Sequence, residues 1–175
     1  LYAAGVYDVD ALCKLSFLRG ELMAAGDGGR GAMVAVTAPL EKVEALLPEL
    51  GPDVTIANRN SPTQCVLSGT KEAIQAATAK LKANGLRGIP LQVGAAFHSP
   101  LVASAEEPFR KGLEEVKFGK SSIPVVANKT AKDYPAEAKK ARDLLANQLV
   151  SQVNWVAQVE ELYAALQEDS EARRI

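Results

Sequence analysis

The sequence predicts an α/β fold. Segments whose apolar residues recur at helical spacing alternate with short runs rich in β-branched residues, and these two periods distinguish helices from strands. Over residues 31–93 the predicted order is strand-helix-strand-strand-helix-strand, the order of a ferredoxin-like βαββαβ unit. Mainly helical segments precede and follow that unit, so we expect helices and sheet to pack in layers.

A helix is predicted near the beginning of the chain, from about residue 9 to 25. Asp8 is suited to cap its first turn, and apolar residues recur along one face. The glycine-rich stretch "AGDGGRG" then ends the helix as a flexible joint. The apolar stripe consists of Leu12, Leu15, Leu22 and Met23.

The interval 31–93 contains the predicted βαββαβ unit. Pro39 is suited to open the first of its two helices, and Gly85 to end the second. Runs of β-branched residues between turn residues mark the strands. The strands are predicted at 31–38, 54–60, 64–70 and 87–93, and the helices at 39–50 and 71–85.

Outside that unit the pattern predicts only one strand among four helices, which leaves apolar faces without a partner. We expect these faces to pack on a segment outside the sequence, or the fold to be truncated. The opening "LYAAG" reads as the middle of a longer protein, and we interpret the chain as a fragment. The strand is predicted at 123–128, and the later helices at 100–115, at 136–150 and around Trp155, Val159, Leu162 and Leu166.

Composition and charge limit the function classes. The 175 residues are 47% hydrophobic with a formal net charge of −1, which suits one globular domain and argues against the basic surface of a nucleic-acid binder. Cys13 and Cys65 lack the spacing of a disulfide framework, and no apolar run approaches the ~20 residues that span a bilayer. With no signal-peptide pattern, the sequence predicts a cytoplasmic protein that binds neither membranes nor nucleic acids.

The only histidine of the chain, His98, lies in "GAAFHSP", between a predicted strand and a predicted helix. Ser99 is suited to cap that helix and Pro100 to its first position, and α/β folds place their sites at the carboxyl ends of strands. A helix N-terminus disfavours imidazolium, so we expect a neutral ring able to accept a proton as a base. The alternative is a buried structural histidine with one hydrogen-bond partner.

Two more polar residues lie on apolar helix faces. Arg19 follows Leu15 by four residues within the stripe, and a buried guanidinium there favours binding of a carboxylate by its planar fork; an internal salt bridge is the alternative. Gln148 lies near the end of the helix at 136–150, where a backbone carbonyl lacks an intrahelical partner and is available to an imidazole. An ordinary glutamine at the edge of the core is the alternative.

Five blocks follow one another along the chain: "LRGELM" at 18–23, "IANRNSPTQCVLSG" at 56–69, "LQVGAAFHSPLV" at 91–102, "IPVVAN" at 123–128 and "NQLVSQVNW" at 147–155. Together they resemble malonyl-CoA:acyl carrier protein transacylases and, more closely, the acyltransferase domains of polyketide and polyunsaturated fatty acid synthases. The resemblance covers nearly the whole chain. It implies that 31–93 is a small ferredoxin-like lobe inserted into a larger α/β-hydrolase-like lobe, to which 1–30 and 94–175 contribute.

The resemblance implies a ping-pong acyl transfer. A serine takes the malonyl group from coenzyme A and passes it to the phosphopantetheine thiol of an acyl carrier protein, with no bound cofactor or metal. By motif, His98 is implied as the base that activates the serine, Arg19 as the residue that binds the malonyl carboxylate, and the main-chain carbonyl of Gln148 as the group that orients the histidine. Malonyl-CoA or a related acyl-CoA, an acyl carrier protein and neighbouring synthase domains are the implied partners.

Three further positions are implied to contact substrate. Asn60 and Arg87 match positions near the pantetheine arm and phosphates; a turn-capping Asn60 and a solvated Arg87 are the alternatives. Phe97 stands third in the four residues 95–98, where malonyl-specific members of the family tend to carry phenylalanine and methylmalonyl-specific members serine. A pocket that favours malonyl is therefore implied, and Ala95, smaller than the residue often found first, is expected to soften that preference.

The chain departs from the family pattern at the nucleophile. No GxSxG pentapeptide, the elbow that carries the family's serine, occurs in these residues. Ser68 and Ser99 lack the flanking glycines, so the sequence predicts the base and the anion clamp without the nucleophile. Two other classes stay open: a ferredoxin-like RNA-binding or regulatory module, against which the lack of aromatic residues on its strands argues, and a catalytically silent docking domain.

Overall fold

The computed structural model describes residues 1–25, 29 and 31–172, with side chains up to residue 167. This part of the chain has a mixed α/β fold built on one five-stranded sheet. The strands are β1 (Gly31–Thr37), β2 (Val54–Ser61), β3 (Gln64–Thr70), β4 (Arg87–Pro90) and β5 (Val153–Asn154). The helices are α1 (Val9–Ala25), α2 (Leu40–Leu50), α3 (Lys71–Ala83), α4 (Glu106–Glu114), α5 (Ala138–Asn147) and α6 (Trp155–Ala172), with 3₁₀ helices at Tyr2–Ala4 and Pro100–Ala105.

The sheet has the strand order β4-β1-β3-β2-β5. β1 pairs antiparallel with β3 and β4, and β2 pairs antiparallel with β3 and parallel with β5. The six elements between residues 31 and 93 occur in the predicted order. One face of the sheet is covered by α2 and α3, and the fully buried side chains of this core include Val34, Val36, Val43, Leu67 and Leu81.

A second core forms where α1, α4 and α5 pack together. Asp8 caps α1 as predicted, because its Oδ1 accepts a hydrogen bond from Ala11 N at 2.9 Å. Gly112 lets α4 approach α1 closely, since a Cβ there would lie 2.2 Å from Leu18 Cδ2. The buried members of this core include Leu15, Met23, Phe109, Leu113, Phe118, Ala146 and Leu149.

The strand predicted at 123–128 is wrong. A single bridge joins Val126 to Asp133, and Tyr134 N donates to Val125 O at 2.8 Å. The apolar run therefore pairs mainly within its own turn, and it contacts the sheet only where it ends, at the bond from Asn154 N to Asn128 O of 2.9 Å among the described residues. Periodicity cannot detect this outcome, because a short apolar run fits a strand whether or not a partner strand lies beside it.

Several predicted boundaries also differ from those of the structure. β4 ends at Pro90 because the chain turns after one further sheet bond, from Leu91 N to Met33 O at 2.9 Å. The helix predicted from residue 100 begins as a 3₁₀ helix before α4, and α5 is shorter at both ends than predicted. The predicted glycine joint falls mostly outside the described residues.

β5 is absent from the sequence prediction. Its two residues, Val153 and Asn154, pair with Asn58 and Arg59 on the free edge of β2. Two residues are too few to give a periodic signal. The pairing ties the segment after α5 to the edge of the sheet.

The apolar face predicted for the last helix is present and remains uncovered by the described residues. Trp155, Val159, Leu162 and Leu166 are all exposed on α6, and Phe17 of α1 is 69% exposed. Side chains of this size are rarely left exposed in a group unless they meet a partner surface. The expectation that apolar faces outside the sheet lack partners in this chain therefore holds for α6.

Candidate functional site

A cleft of about 640 Å³ lies between α1, the sheet face opposite α2 and α3, and the segment that follows β4. Four of the sequence-predicted residues, Arg19, Asn60, Phe97 and His98, line it. The remaining walls are mainly apolar, as in most sites that bind small molecules. These apolar side chains are Met23, Met33, Val66, Leu91 and Val93.

His98 is fixed in the cleft by its backbone and by one ring nitrogen. Its φ of +55° lies in the left-handed region, and its Nδ1 is 3.1 Å from the main-chain oxygen of Gln148. A carbonyl oxygen only accepts, so Nδ1 carries the proton and donates it to that bond. The neutral ring therefore keeps its lone pair on Nε2, which makes His98 able to act as a base.

The surroundings of His98 favour its neutral form. Burial is the largest effect and lowers the pKa of the imidazole below its usual value. The positive charge of Arg19 lowers this pKa as well, whereas the backbone hydrogen bonds of Gln148 and Ser151 raise it. The net result is a ring that is uncharged at neutral pH and available to accept a proton.

Gln148 occupies the position that the sequence analysis expected. It is the C-cap of α5 and is buried, so its carbonyl has no next helical turn to bond to. Its side-chain amide donates to Ser151 O at 3.1 Å and closes a tight turn after the helix. The main-chain carbonyl is thereby held toward His98.

Arg19 lines the cleft but is not buried, so the expected burial is wrong. The residue is exposed and forms no ion pair with any described residue. Arg19 lies on the apolar side of α1, as predicted. At this point along the helix, however, that side faces the open cleft instead of the packed core. Partial desolvation still lowers the pKa of its guanidinium. The group remains charged at neutral pH and, without an ion pair among the described residues, is available to an anion in the cleft.

Phe97 forms the wall beside His98 and connects two packed regions. Its half-buried ring lies against the core of α1, α4 and α5 and also against the small cluster of Met33, Ala57 and Val66 on the sheet. A group bound near His98 therefore meets the phenyl ring. A smaller side chain at this position would widen the cleft next to the imidazole.

A β-bulge in β2 brings two asparagines to the cleft. The register of β2 with β3 shifts between Ile56 and Asn58, which breaks the strict alternation of faces there. Asn58 and Asn60 both line the cleft. Asn58 was not predicted from the sequence, where its signal is its i, i+2 spacing from Asn60.

Arg87 does not reach the cleft. It lies in β4, the edge strand of the sheet, opposite Thr37 of β1, and its side chain is exposed. The cleft-lining residues do not include it. The predicted contact of Arg87 with substrate would therefore lie outside the cleft that contains His98 and Arg19.

The two serines considered in the sequence analysis lie away from the cleft surface. Ser99 Oγ donates to Ala96 O at 2.6 Å and accepts from Leu101 N at 3.3 Å, as a cap does. Ser68 is fully buried in β3, and neither serine lines the cleft. Both are unsuited to attack a substrate bound there.

No helix among the described residues is both long enough and apolar enough to cross a bilayer. No group of three or more histidine, cysteine, aspartate or glutamate side chains in this part of the chain is placed to hold a metal ion.

The chain is similar to known acyltransferases over nearly its whole length. It is 38% identical over 160 residues to the polyketide biosynthesis malonyl CoA-acyl carrier protein transacylase BaeC of Bacillus velezensis, covering 89% of this chain and 54% of that protein. It is 35% identical over 171 residues to one component of the polyunsaturated fatty acid synthase of a Thraustochytrium species, covering 94% of this chain and 6% of that component. The chain thus spans about half the length of that transacylase and a small part of that synthase component.

Solved structures and a family profile agree with these similarities. The malonyl CoA-acyl carrier protein transacylase of Burkholderia pseudomallei superimposes with a TM-score of 0.88 at 33% identity, covering 96% of this chain and 57% of that one. A malonyl-transacylase solved in complex with a type II polyketide synthase acyl-carrier protein gives 0.87 at 34% identity, with 94% and 55% covered. The family described as "Acyl transferase domain" matches residues 1–170. The chain therefore belongs to the acyltransferase domain family.

Proposed function

We propose that this chain is part of an acyltransferase that moves a malonyl-type unit from coenzyme A to the phosphopantetheine thiol of an acyl carrier protein. The transfer passes through a seryl ester, and the serine is contributed by a segment outside these 175 residues. Residues 31–93 form the ferredoxin-like small lobe, and 1–30 and 94–175 form parts of the α/β-hydrolase-like large lobe. The free thiols of Cys13 and Cys65 support a location in the reducing cytoplasm.

One observation carries the proposal. His98 Nδ1 is held at 3.1 Å by the main-chain oxygen of Gln148, in a cleft whose wall also contains Arg19. This combines an oriented neutral base with a cation that forms no ion pair among the described residues, and these two groups suit the transfer of a carboxylate-bearing acyl group. The similarity to proteins named malonyl CoA-acyl carrier protein transacylases supports the same reaction.

In the first half-reaction His98 Nε2 takes the proton of the serine hydroxyl while the serine oxygen attacks the thioester carbonyl. The carbon–sulfur bond then breaks, and the imidazolium returns that proton to the departing coenzyme A thiolate. The second half-reaction reverses these roles: the pantetheine thiol loses its proton to His98 and attacks the ester, and the serine oxygen regains a proton. The Gln148 carbonyl stabilises the imidazolium that forms in both halves.

Arg19 and Phe97 define the acyl group in this proposal. The guanidinium of Arg19 pairs with the free carboxylate of malonyl, which an acetyl group lacks. The phenyl ring of Phe97 lies beside the base and occupies the space that a branched α-carbon would need. Asn58 and Asn60 line the side of the cleft formed by β2, where we place the amide-bearing pantetheine arm. We assign Arg87, outside the cleft, to the nucleotide phosphates.

Malonyl transfer by the full-length protein tests this function. We expect the protein to convert labelled malonyl-CoA and a phosphopantetheinylated acyl carrier protein to malonyl-acyl carrier protein. His98→Ala should lower the rate at least about a thousandfold, because loss of the base removes most of the activation of a serine nucleophile. A folded wild-type protein that transfers no malonyl would instead favour a catalytically silent docking domain.

A further inference from the structure

The turn after α5 connects the orienting carbonyl of His98 to the wall of the cleft. At its beginning, Gln148 O accepts the hydrogen bond of His98. A few residues later the chain reaches β5, which pairs with β2 at Asn58 and Arg59. The same short segment therefore contacts the base at one end and the asparagine-bearing strand at the other.

Gln152 strengthens this connection with both ends of its side-chain amide. Its Oε1 accepts from Arg59 Nε at 3.0 Å, and its Nε2 donates to Ile56 O at 2.9 Å. Both partners belong to β2, and they flank Asn58 and the bulge. Gln152 immediately precedes β5, and its side-chain amide donates to a backbone carbonyl of β2. The bond therefore extends the pairing of β5 with β2 by one residue.

The partner strand is itself anchored at this point. Arg59 Nη2 forms an ion pair with Glu44 Oε1 of α2 at 2.6 Å. The Gln152 side chain thus bonds to a guanidinium that is already held by a helix on the other face of the sheet. Without Gln152, only the two residues of β5 would connect this turn to the sheet. The bond between Arg59 and Gln152 adds to that connection, and it is strong because the guanidinium is charged.

We propose that Gln152 is a positioning residue of this site, which fixes the distance between His98 and the cleft wall that contains Asn58 and Asn60. Gln152 lines no part of the cleft itself. It acts through the turn that holds the Gln148 carbonyl and through the bulged part of β2. This inference rests on the proposed function, since positioning matters only if His98 is the base.

Gln152→Leu in the full-length enzyme tests the proposal, because leucine keeps a similar volume and removes both hydrogen bonds. We expect the turnover number for malonyl transfer to fall by about tenfold to a hundredfold, as displacement of a catalytic group does. The hydrogen bond that His98 donates to Gln148 O raises the pKa of His98, so its weakening should also move the acidic limb of the kcat/KM profile to lower pH. A merely structural hydrogen bond would change neither.

Gln158→Leu is the matched control. Gln158 is another glutamine whose Nε2 donates a hydrogen bond, to Asn128 Oδ1 at 2.9 Å. It is buried, whereas Gln152 is half-buried, and it lies on α6 and makes no described bond to β2. Both variants should unfold at lower temperature than the wild type. Only Gln152→Leu should lower the turnover number and shift the pH profile.

Gln152→Glu provides the second variant if the leucine protein does not fold. Glutamate keeps the acceptor for Arg59 but cannot donate to Ile56 O, so we expect a smaller fall in turnover, of about threefold to tenfold, again with an acidic shift.

The outcomes separate the two proposals. If wild-type enzyme transfers malonyl and folded Gln152 variants match Gln158→Leu in both turnover and pH profile, the positioning role is contradicted while the proposed function stands. If wild-type enzyme transfers no malonyl, the proposed function fails first.

Discussion

His98 combines a strained backbone with an anchored side chain. A non-glycine residue at a φ of +55° is disfavoured by about 1–3 kcal/mol, so its surroundings must maintain that conformation. The Ser99 hydroxyl closes the adjacent turn on Ala96 O at 2.6 Å, and Gln148 holds Nδ1. These contacts direct the ring before any substrate binds, and such preorganisation is what a base requires.

Arg19→Gln should distinguish a carboxylate clamp from a structural cation. We expect kcat/KM for malonyl-CoA to fall about 10- to 100-fold, in line with the loss of about 1.5–3 kcal/mol from a charged hydrogen bond, while acetyl transfer changes little. Steady-state rates with the two coenzyme A esters measure this. Lys14→Gln removes a charge from the same helix and should leave the malonyl-to-acetyl ratio unaltered. Equal losses for both esters would make Arg19 a structural residue.

The pH dependence of acylation follows from the charges around His98. Burial and Arg19 both lower the pKa of His98 from its usual value of 6.5, so the acidic limb of kcat/KM should lie below pH 6.5. Removing the positive charge in Arg19→Gln raises that pKa and should move the limb to higher pH. A pH profile of acyl-enzyme formation measures the shift. A limb that stays in place, or moves to lower pH, would show that Arg19 does not act on His98.

Phe97→Ser tests the wall beside the base. We expect the ratio of methylmalonyl to malonyl transfer to rise by about 10- to 200-fold, the range that accommodation of one methyl group allows. Competition between the two coenzyme A esters gives the ratio directly. Phe97→Leu retains bulk and should keep the malonyl preference. An unchanged ratio in folded Phe97→Ser protein would place the ring outside the acyl pocket.

The residues of the cleft were predictable to different degrees. His98 and Gln148 were found from a cap pattern and a helix end, and their contact is present at 3.1 Å. Arg19 was found as a polar residue within an apolar stripe, but helical spacing cannot show whether that stripe meets a core or an open cleft. Asn58 was missed although its i, i+2 spacing from Asn60 places both residues on one face of a regular strand. The bulge after Ile56, which the sequence does not reveal, decides that this face is the one toward the cleft.

At the scale of elements, regular segments followed the sequence closely. α1 begins one residue after Asp8 as the cap predicts, and the elements of 31–93 appear in the expected order. The positions of these segments are determined by residues that are close together in the sequence. The two errors, the missing strand at 123–128 and the unpredicted β5, both depend on which distant chain lies alongside, and no local pattern contains that information.

The N-cap of α1 provides a test at the scale of elements. It matters for the site because α1 carries Arg19 in the wall of the cleft. Asp8→Ala should lower the free energy of unfolding by about 1 kcal/mol, since it removes the 2.9 Å bond to Ala11 N. Asp10→Ala, in the first turn but without a described cap bond, should cost less. Urea unfolding of the full-length protein measures both. A loss for Asp8→Ala no larger than for Asp10→Ala would contradict the cap assignment.

At the scale of the whole molecule, the described residues hold a base and a cation in one cleft, while neither candidate serine faces it. The exposed apolar face of α6 and the coverage of about half of the related transacylases agree with a site completed by another segment. The central claim is therefore that His98 and Arg19 serve a serine outside these 175 residues.

Locating the acyl ester in the full-length protein tests that claim most directly. The protein is incubated with isotopically labelled malonyl-CoA in the absence of acyl carrier protein, quenched with acid and digested, and the labelled peptide is identified by mass spectrometry. We predict one malonyl ester, on a serine that is not among these 175 residues, and its formation should be at least about a thousandfold slower in His98→Ala. A malonyl ester on Ser68, Ser99 or any other residue of this chain, or acylation that proceeds at the normal rate without His98, would contradict the account.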